Sequence, residues 1–184
     1  MRRMNQERLS HIGPGHLLLW QKAASMSARC HQNQLRKDRV TPYCAHPFRV
    51  AMIVRHIFEV DDEVALAGAL LHDVIEDTDT DFDDVEEECG LEVAEIVAAL
   101  TKNMSLRKPI REKKYDEQLA AAPWQARLVK LADVYDNICD SEAGDMRRRA
   151  LEKGPRAIAC AGDDHASIAA AIKHLEALMR NAVE

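Results

Sequence analysis

Aromatic side chains are scarce in this chain of 184 residues, at 4% of positions, so Ala, Leu, Ile and Val must carry the apolar contacts. That composition favours helices packed on helices. Alternation of apolar and polar residues never lasts more than a few positions, which removes the signature of a half-buried strand. Long apolar runs are missing too: nothing approaches a membrane span, and Leu17-Leu18-Leu19-Trp20 is too short for the apolar core of a signal peptide. The five cysteines (Cys30, Cys44, Cys89, Cys139, Cys160) form no CxxC pair and are odd in number, which argues against a disulfide framework or a zinc ribbon. A reducing cytoplasm is therefore the expected location. Net positive charge is absent: the formal balance of −6 argues against a protein that coats nucleic acid, though it permits a local basic pocket for a phosphorylated small molecule. Neither nucleic acid nor membrane is an expected partner.

What is present is an ordinary soluble composition, 47% hydrophobic and 30% charged, on a chain long enough to bury a core without cross-links. Residues 1–16 are polar, contain Gly13-Pro14-Gly15, and read as a flexible N-terminal arm; residues 17–184 read as one domain. Helical spacing predicts a helix over 17–35 ending in a basic turn, then a turn over 38–42. A third segment follows, a helix opened by Pro47 with Val50, Ile53, Val54 and Ile57 on its buried stripe. Asp61 or Asp62 can cap a helix over 64–75. A further helix starts near Thr80-Asp81-Phe82-Asp83 and ends at Gly90, followed by one over 91–100. Lys102, Arg107, Lys108, Arg111, Lys113 and Lys114 surround Pro109 and read as a basic loop, either a lid over an anionic substrate or a solvated connector. Pro123 restarts a helix through Leu128, Leu131, Ala132 and Ile138. Beyond it lie residues 145–153, a break at Gly154-Pro155 and a final helix over 164–180. The expected fold is all-α, a single-domain helical bundle.

The chemistry concentrates in Ala69-Leu70-Leu71-His72-Asp73-Val74-Ile75-Glu76-Asp77-Thr78. A core helix does not ordinarily end in four titratable side chains. His72 and Asp73 are neighbours, so an imidazole and a carboxylate can reach one ion together. Glu76 and Asp77 follow four residues on, one helical turn later, and so project toward the sides of His72 and Asp73.

Two ligands hold an ion weakly. His46 at a helix start and Asp133 in Lys130-Leu131-Ala132-Asp133 are the candidates to complete the set, because a carboxylate in an apolar stripe is costly unless paired or bound to metal. Two imidazoles and two carboxylates suit manganese, iron or another divalent ion with positions left for water and substrate. A His-Asp pair alone is common, His46 could be a surface cap and Asp133 a salt-bridged core residue. The joint pattern is what points to a metal site.

These residues resemble the HD superfamily of metal-dependent phosphohydrolases, and more narrowly the hydrolase domain of RelA/SpoT proteins and the stand-alone small alarmone hydrolases. The resemblance runs over about 17–142, through Arg36-Lys37-Asp38, Thr41-Pro42-Tyr43-Cys44-Ala45-His46-Pro47, the HD-x-x-ED-T segment, Leu100-Thr101-Lys102, and Val129-Lys130-Leu131-Ala132-Asp133 with Asn137. It implies an HD-type bundle in which His46, His72, Asp73 and Asp133 hold one ion, usually Mn²⁺. It further implies that Glu76 and Asp77 serve the attacking water, that Arg36, Lys37, Tyr43 and Asn137 line the nucleotide site, and that ppGpp loses its 3′-diphosphate to give GDP.

Two positions depart from that pattern. Val134 and Cys139 stand where the alarmone hydrolases usually carry cations. An HD phosphohydrolase acting on another nucleotide or phosphorylated metabolite is therefore a second reading, and a catalytically inactive, nucleotide-binding regulatory module is a third.

Overall fold

The computed structural model describes residues 17–142 and 144–182; the arm expected over 1–16 lies outside the described residues. The elements are α1 (Leu19–Cys30), α2 (Ala45–Met52), α3 (Glu63–Leu71), α4 (Val74–Asp77), α5 (Phe82–Cys89), α6 (Leu91–Leu100), α7 (Lys108–Ala120), α8 (Trp124–Cys139), α9 (Asp145–Ala161) and α10 (Ala166–Asn181). Among the described residues no strand forms, and one isolated bridge joins Leu35 to Pro42. The all-α expectation holds.

Helix α8 is the axis of the bundle. Ala126, Leu128, Val129, Leu131, Ala132, Val134 and Ile138 are all buried, and α2, α3, α6, α9 and α10 pack around it. Apolar residues on most of its circumference leave it no solvated stripe, as befits a central helix. Helix α3 is buried on nearly every side as well, and Asp62 caps it by accepting from the Ala65 N–H at 2.8 Å. Gly68 lets α3 approach α6 closely: a Cβ there would stand 2.7 Å from Ile96 Cγ2.

Several boundaries differ from the sequence expectation, each for a local reason. Helix α1 stops at Cys30, and the chain then turns through Asn33 at φ 66°, so the cations at Arg36 and Lys37 belong to the following loop rather than to a helix end. Helix α2 begins two residues before Pro47; the missing proline N–H falls among the first-turn donors that have no helical partner anyway. Its far end widens into a π-turn over Ile53–Ile57, closed by the Phe58 N–H on the Ile53 carbonyl at 2.9 Å, which leaves Ile57 partly exposed. The run read as one helix over 64–75 is broken at His72 and Asp73 into α3 and the single turn α4.

The segment expected to be a basic loop is helical from Lys108, with Pro109 in its first turn, so only 101–107 connects. No break occurs at Gly154-Pro155. Pro155 removes one helical hydrogen bond from α9, but Ala150, Gly154, Ala157 and Ala161 are buried in the bundle and tertiary packing carries the helix through.

Candidate functional site

The break between α3 and α4 builds the site. The last carbonyls of α3 lack helical donors, and the His72 ring supplies one, Nδ1 donating to the Ala69 carbonyl at 2.8 Å. That commits Nδ1 and turns Nε2 inward. Nε2 lies 3.1 Å from Asp73 Oδ2 and 3.9 Å from Asp133 Oδ1, yet it is buried without a hydrogen bond of good geometry. From the first turn of α2, His46 places its Nε2 3.3 Å from Asp133 Oδ1 and 3.6 Å from Asp73 Oδ2. Ligand atoms of His46, His72 and Asp133 all lie within 4.8 Å of one another. Four side chains from three separated stretches of sequence thus converge on one point, with His46 2%, His72 4% and Asp133 9% exposed. Mixed imidazole and carboxylate donors, with one buried nitrogen lacking a partner, fit a divalent transition ion.

The same carboxylates and imidazoles set each other's charge. Burial disfavours the His72 cation, but Asp73 and then Asp133 outweigh it and push its pKa up to about 9. Burial likewise opposes ionisation of Asp73 and Asp133; His72 most strongly holds the first below the usual carboxylate range, and Lys130 the second. Lys130 Nζ donates to Asp133 Oδ2 at 2.7 Å, and this pairing raises the lysine above its ordinary value although burial acts the other way.

Glu76 and Asp77 border the same cleft, of about 260 Å³, as the four converging residues. Glu76 Oε2 accepts the Lys102 backbone N–H at 3.0 Å, and Asp77 Oδ2 accepts from the Tyr43 hydroxyl at 2.9 Å. The Tyr43 hydroxyl also lies 2.7 Å from Asp73 Oδ2, so one oxygen bridges the two carboxylates. Burial, with those two carboxylates, raises the Tyr43 pKa and keeps the phenol protonated.

Arg36, Lys37 and Asn137 also line the cleft. Arg36 is held by Asp140, Nη2 donating to Oδ2 at 2.7 Å, and its guanidinium lies over the Tyr43 ring at 5.5 Å. Asn137 spends its amide on the Asp133 carbonyl at 2.9 Å and on Asp133 Oδ1. It therefore bears on the ligand set directly.

Sequence reasoning missed four residues here. Lys130 and Asp136 flank Asp133 at three-residue spacing on α8, and two more charges in an apolar stripe were signal enough to find them. Tyr115 and Lys153 also line the cleft. Burial lowers the Lys153 pKa. A second cavity of about 570 Å³ shares Arg36, Lys37, Asn137 and Lys153 with the cleft and adds Arg149 from α9. Of the expected basic loop, Lys102 reaches the cleft, where it faces Tyr115 and Glu112, whereas Lys113 pairs with Glu117 on the exposed side of α7.

A helical bundle that gathers His46, His72 and Asp133 at one buried point, with Asp73 alongside and an acidic pair beside it, presents a possible metal site of the His-Asp type. The family can be stated outright, since the HD-domain model matches residues 23–158: the chain belongs to the HD-domain family. It is 42% identical over 120 residues to guanosine-3′,5′-bis(diphosphate) 3′-pyrophosphohydrolase MESH1 of Danio rerio, covering 65% of this chain and 67% of that one. The bifunctional (p)ppGpp synthase/hydrolase SpoT of Escherichia coli K12 is 32% identical over 154 residues, 79% of this chain and 22% of SpoT. Among solved structures, a metazoan ortholog of SpoT that hydrolyzes ppGpp superposes with a TM-score of 0.76 at 29% identity, over 92% of this chain and 98% of that one. A protein from Listeria monocytogenes EGD-e shares the fold, with a TM-score of 0.56 at 22% identity over 76% and 96% of the two chains.

No helix among the described residues is long and apolar enough to cross a membrane.

Proposed function

We propose that this protein is a Mn²⁺-dependent hydrolase that removes the 3′-diphosphate of guanosine 3′,5′-bis(diphosphate), giving GDP and pyrophosphate. The observation that carries the reading is the convergence of His46, His72, Asp73 and Asp133 beside Glu76 and Asp77 in one cation-lined cleft. Likeness to relatives named for that reaction supports it. In this reading His46, His72, Asp73 and Asp133 hold the ion. When bound, the ion polarises a phosphoryl oxygen and eases loss of a proton from water near neutral pH.

The chain's own groups do the rest. Tyr43 and the Lys102 N–H fix Asp77 and Glu76, which orient the attacking water and take its proton. Water adds to the phosphorus on the ribose 3′ oxygen, that P–O bond breaks, and the proton taken by the carboxylate passes to the departing 3′ oxygen, so that GDP and pyrophosphate are released. Arg36, Lys37, Lys102 and Lys153 line the cleft with positive charge that matches the substrate's phosphates. Incubating purified protein with Mn²⁺ and ppGpp should release GDP and pyrophosphate in equal amounts; folded protein that turns over none of it with any divalent metal overturns the proposal.

One observation favours a second reading, the same machinery acting on another phosphorylated nucleotide or metabolite. Val134 is 1% exposed in the core and Cys139 is a free thiol, so neither gives the cleft a charge; Lys153 of α9 lines the cleft instead, and Arg149 lines the adjoining cavity. Relative kcat/KM across a panel of nucleotides and sugar phosphates separates the two readings.

A further inference from the structure

We propose that Asp136, clamped by Arg49, is a positioning residue that presents His46 to the metal ion. The inference rests on the reading of His46 as a ligand given above.

An imidazole that coordinates through Nε2 must carry its proton on Nδ1, and something must hold that N–H if the ring is not to rotate. His46 Nδ1 donates to Asp136 Oδ2 at 2.7 Å, and both residues are 2% exposed, so no water competes for the bond. The ring's other nitrogen is thereby aimed at Asp133 and Asp73.

Asp136 is itself fixed. Arg49 donates from Nε to Oδ1 at 2.7 Å and from Nη2 to Oδ2 at 2.9 Å, a two-pronged contact that sets the carboxylate plane. The Arg49 Nη2 also stands 3.0 Å from Asp140 Oδ2, the atom that accepts from Arg36 at the cleft wall. Both oxygens of Asp136 are occupied, so this carboxylate is an acceptor for the histidine and not a fifth ligand.

The two histidines are served differently. His72 donates to a neutral carbonyl, whereas His46 donates to a carboxylate, which makes its imidazole the more electron-rich donor. Helix pitch does the alignment: Asp133 and Asp136, one turn apart on α8, supply a direct donor and the orienter of a second.

The test is Mn²⁺ binding by calorimetry to metal-stripped wild type, Asp136→Asn and Arg49→Met, with His46→Ala as reference and thermal melting to establish folding. Asp136→Asn keeps the shape but offers Arg49 only one acceptor oxygen, and its Mn²⁺ affinity should fall about 10- to 100-fold. Arg49→Met should fall less than that. In parallel, long-range ¹⁵N spectra of the metal-free proteins, at a pH where the ring is neutral, should show the His46 proton fixed on Nδ1 in wild type and shared between the two nitrogens in Asp136→Asn. Wild-type affinity in a folded Asp136→Asn protein overturns the proposal, as does a His46 proton on Nε2. Should Asp136→Asn fail to fold, Arg49→Met decides: weaker Mn²⁺ binding supports the role, unchanged binding refutes it. Wild type that binds no Mn²⁺ overturns instead the ligand assignment on which the inference rests.

Discussion

Lys130 and Asp133 sit three residues apart on α8 with Nζ 2.7 Å from Oδ2, while the other oxygen of the same carboxylate faces His46 at 3.3 Å. The lysine thus neutralises and orients one side of the aspartate and leaves the other for the site. Removing one partner of a largely buried pair strands the other charge, at a cost of about 3 kcal/mol. Lys130→Met should lower urea-unfolding stability of the metal-free protein by about that amount. A change below about 0.5 kcal/mol would show that the imidazoles alone compensate Asp133.

The ligand and acid/base roles separate by mutation. Asp73→Ala should lose bound metal and turnover together, because its Oδ2 lies within reach of both imidazoles. Glu76→Gln should retain metal and lose kcat by about 10²- to 10⁴-fold, the range for a positioned general base. Metal content by mass spectrometry alongside steady-state kinetics reads both. Normal turnover in Glu76→Gln would transfer the role to Asp77.

Tyr43→Phe deletes the hydroxyl shared by Asp73 and Asp77. A hydrogen bond to a charged group contributes about 1.5–3 kcal/mol, so kcat/KM should drop roughly 10- to 100-fold with the fold intact. Unchanged kinetics would mean the two carboxylates hold position without the bridge.

Metal binding should release protons. In the metal-free protein His72 keeps its proton until about pH 9. Its folded pKa lies above the unfolded value of about 6.5, so its contribution to metal-free stability is full below that value and disappears as pH rises through 9. A ligand nitrogen must be deprotonated, so Mn²⁺ affinity should rise with pH up to about 9. Calorimetry in buffers of different ionisation enthalpy would detect the released proton, and pH-independent binding from 6 to 9 would contradict the assignment of His72.

Gly68 is a packing requirement. An alanine there gains about 1 kcal/mol of helix propensity, but its methyl meets the branched Ile96 Cγ2 at 2.7 Å in the core. Overpacking of this kind costs about 1–3 kcal/mol. Gly68→Ala should lower the melting temperature, and a rise would show that α3 and α6 can separate at no cost.

Much of this was legible in the residues. His46, His72, Asp73 and Asp133 stood out because titratable groups punctuated apolar helices, and the coordinates bring them together. The break at His72 is not legible, since Val74 and Ile75 resume the apolar pattern of 64–71 at helical spacing, and the His72 ring bonds the Ala69 carbonyl where the helix ends. Gly154-Pro155 misled in the opposite sense, because local breakers yield to tertiary packing and sequence spacing does not report packing. Lys153 was hidden for the same reason: with α9 broken it had no path to the cleft, and with α9 continuous it lines the wall.

Four side chains meeting at one divalent ion should be visible directly. Anomalous scattering from Mn²⁺-soaked crystals tests it most directly. A single strong peak bounded by Nε2 of His46 and of His72 and by the carboxylates of Asp73 and Asp133 is the expected result. A Mn²⁺ peak elsewhere, or a saturated crystal with none among these four, would contradict the account.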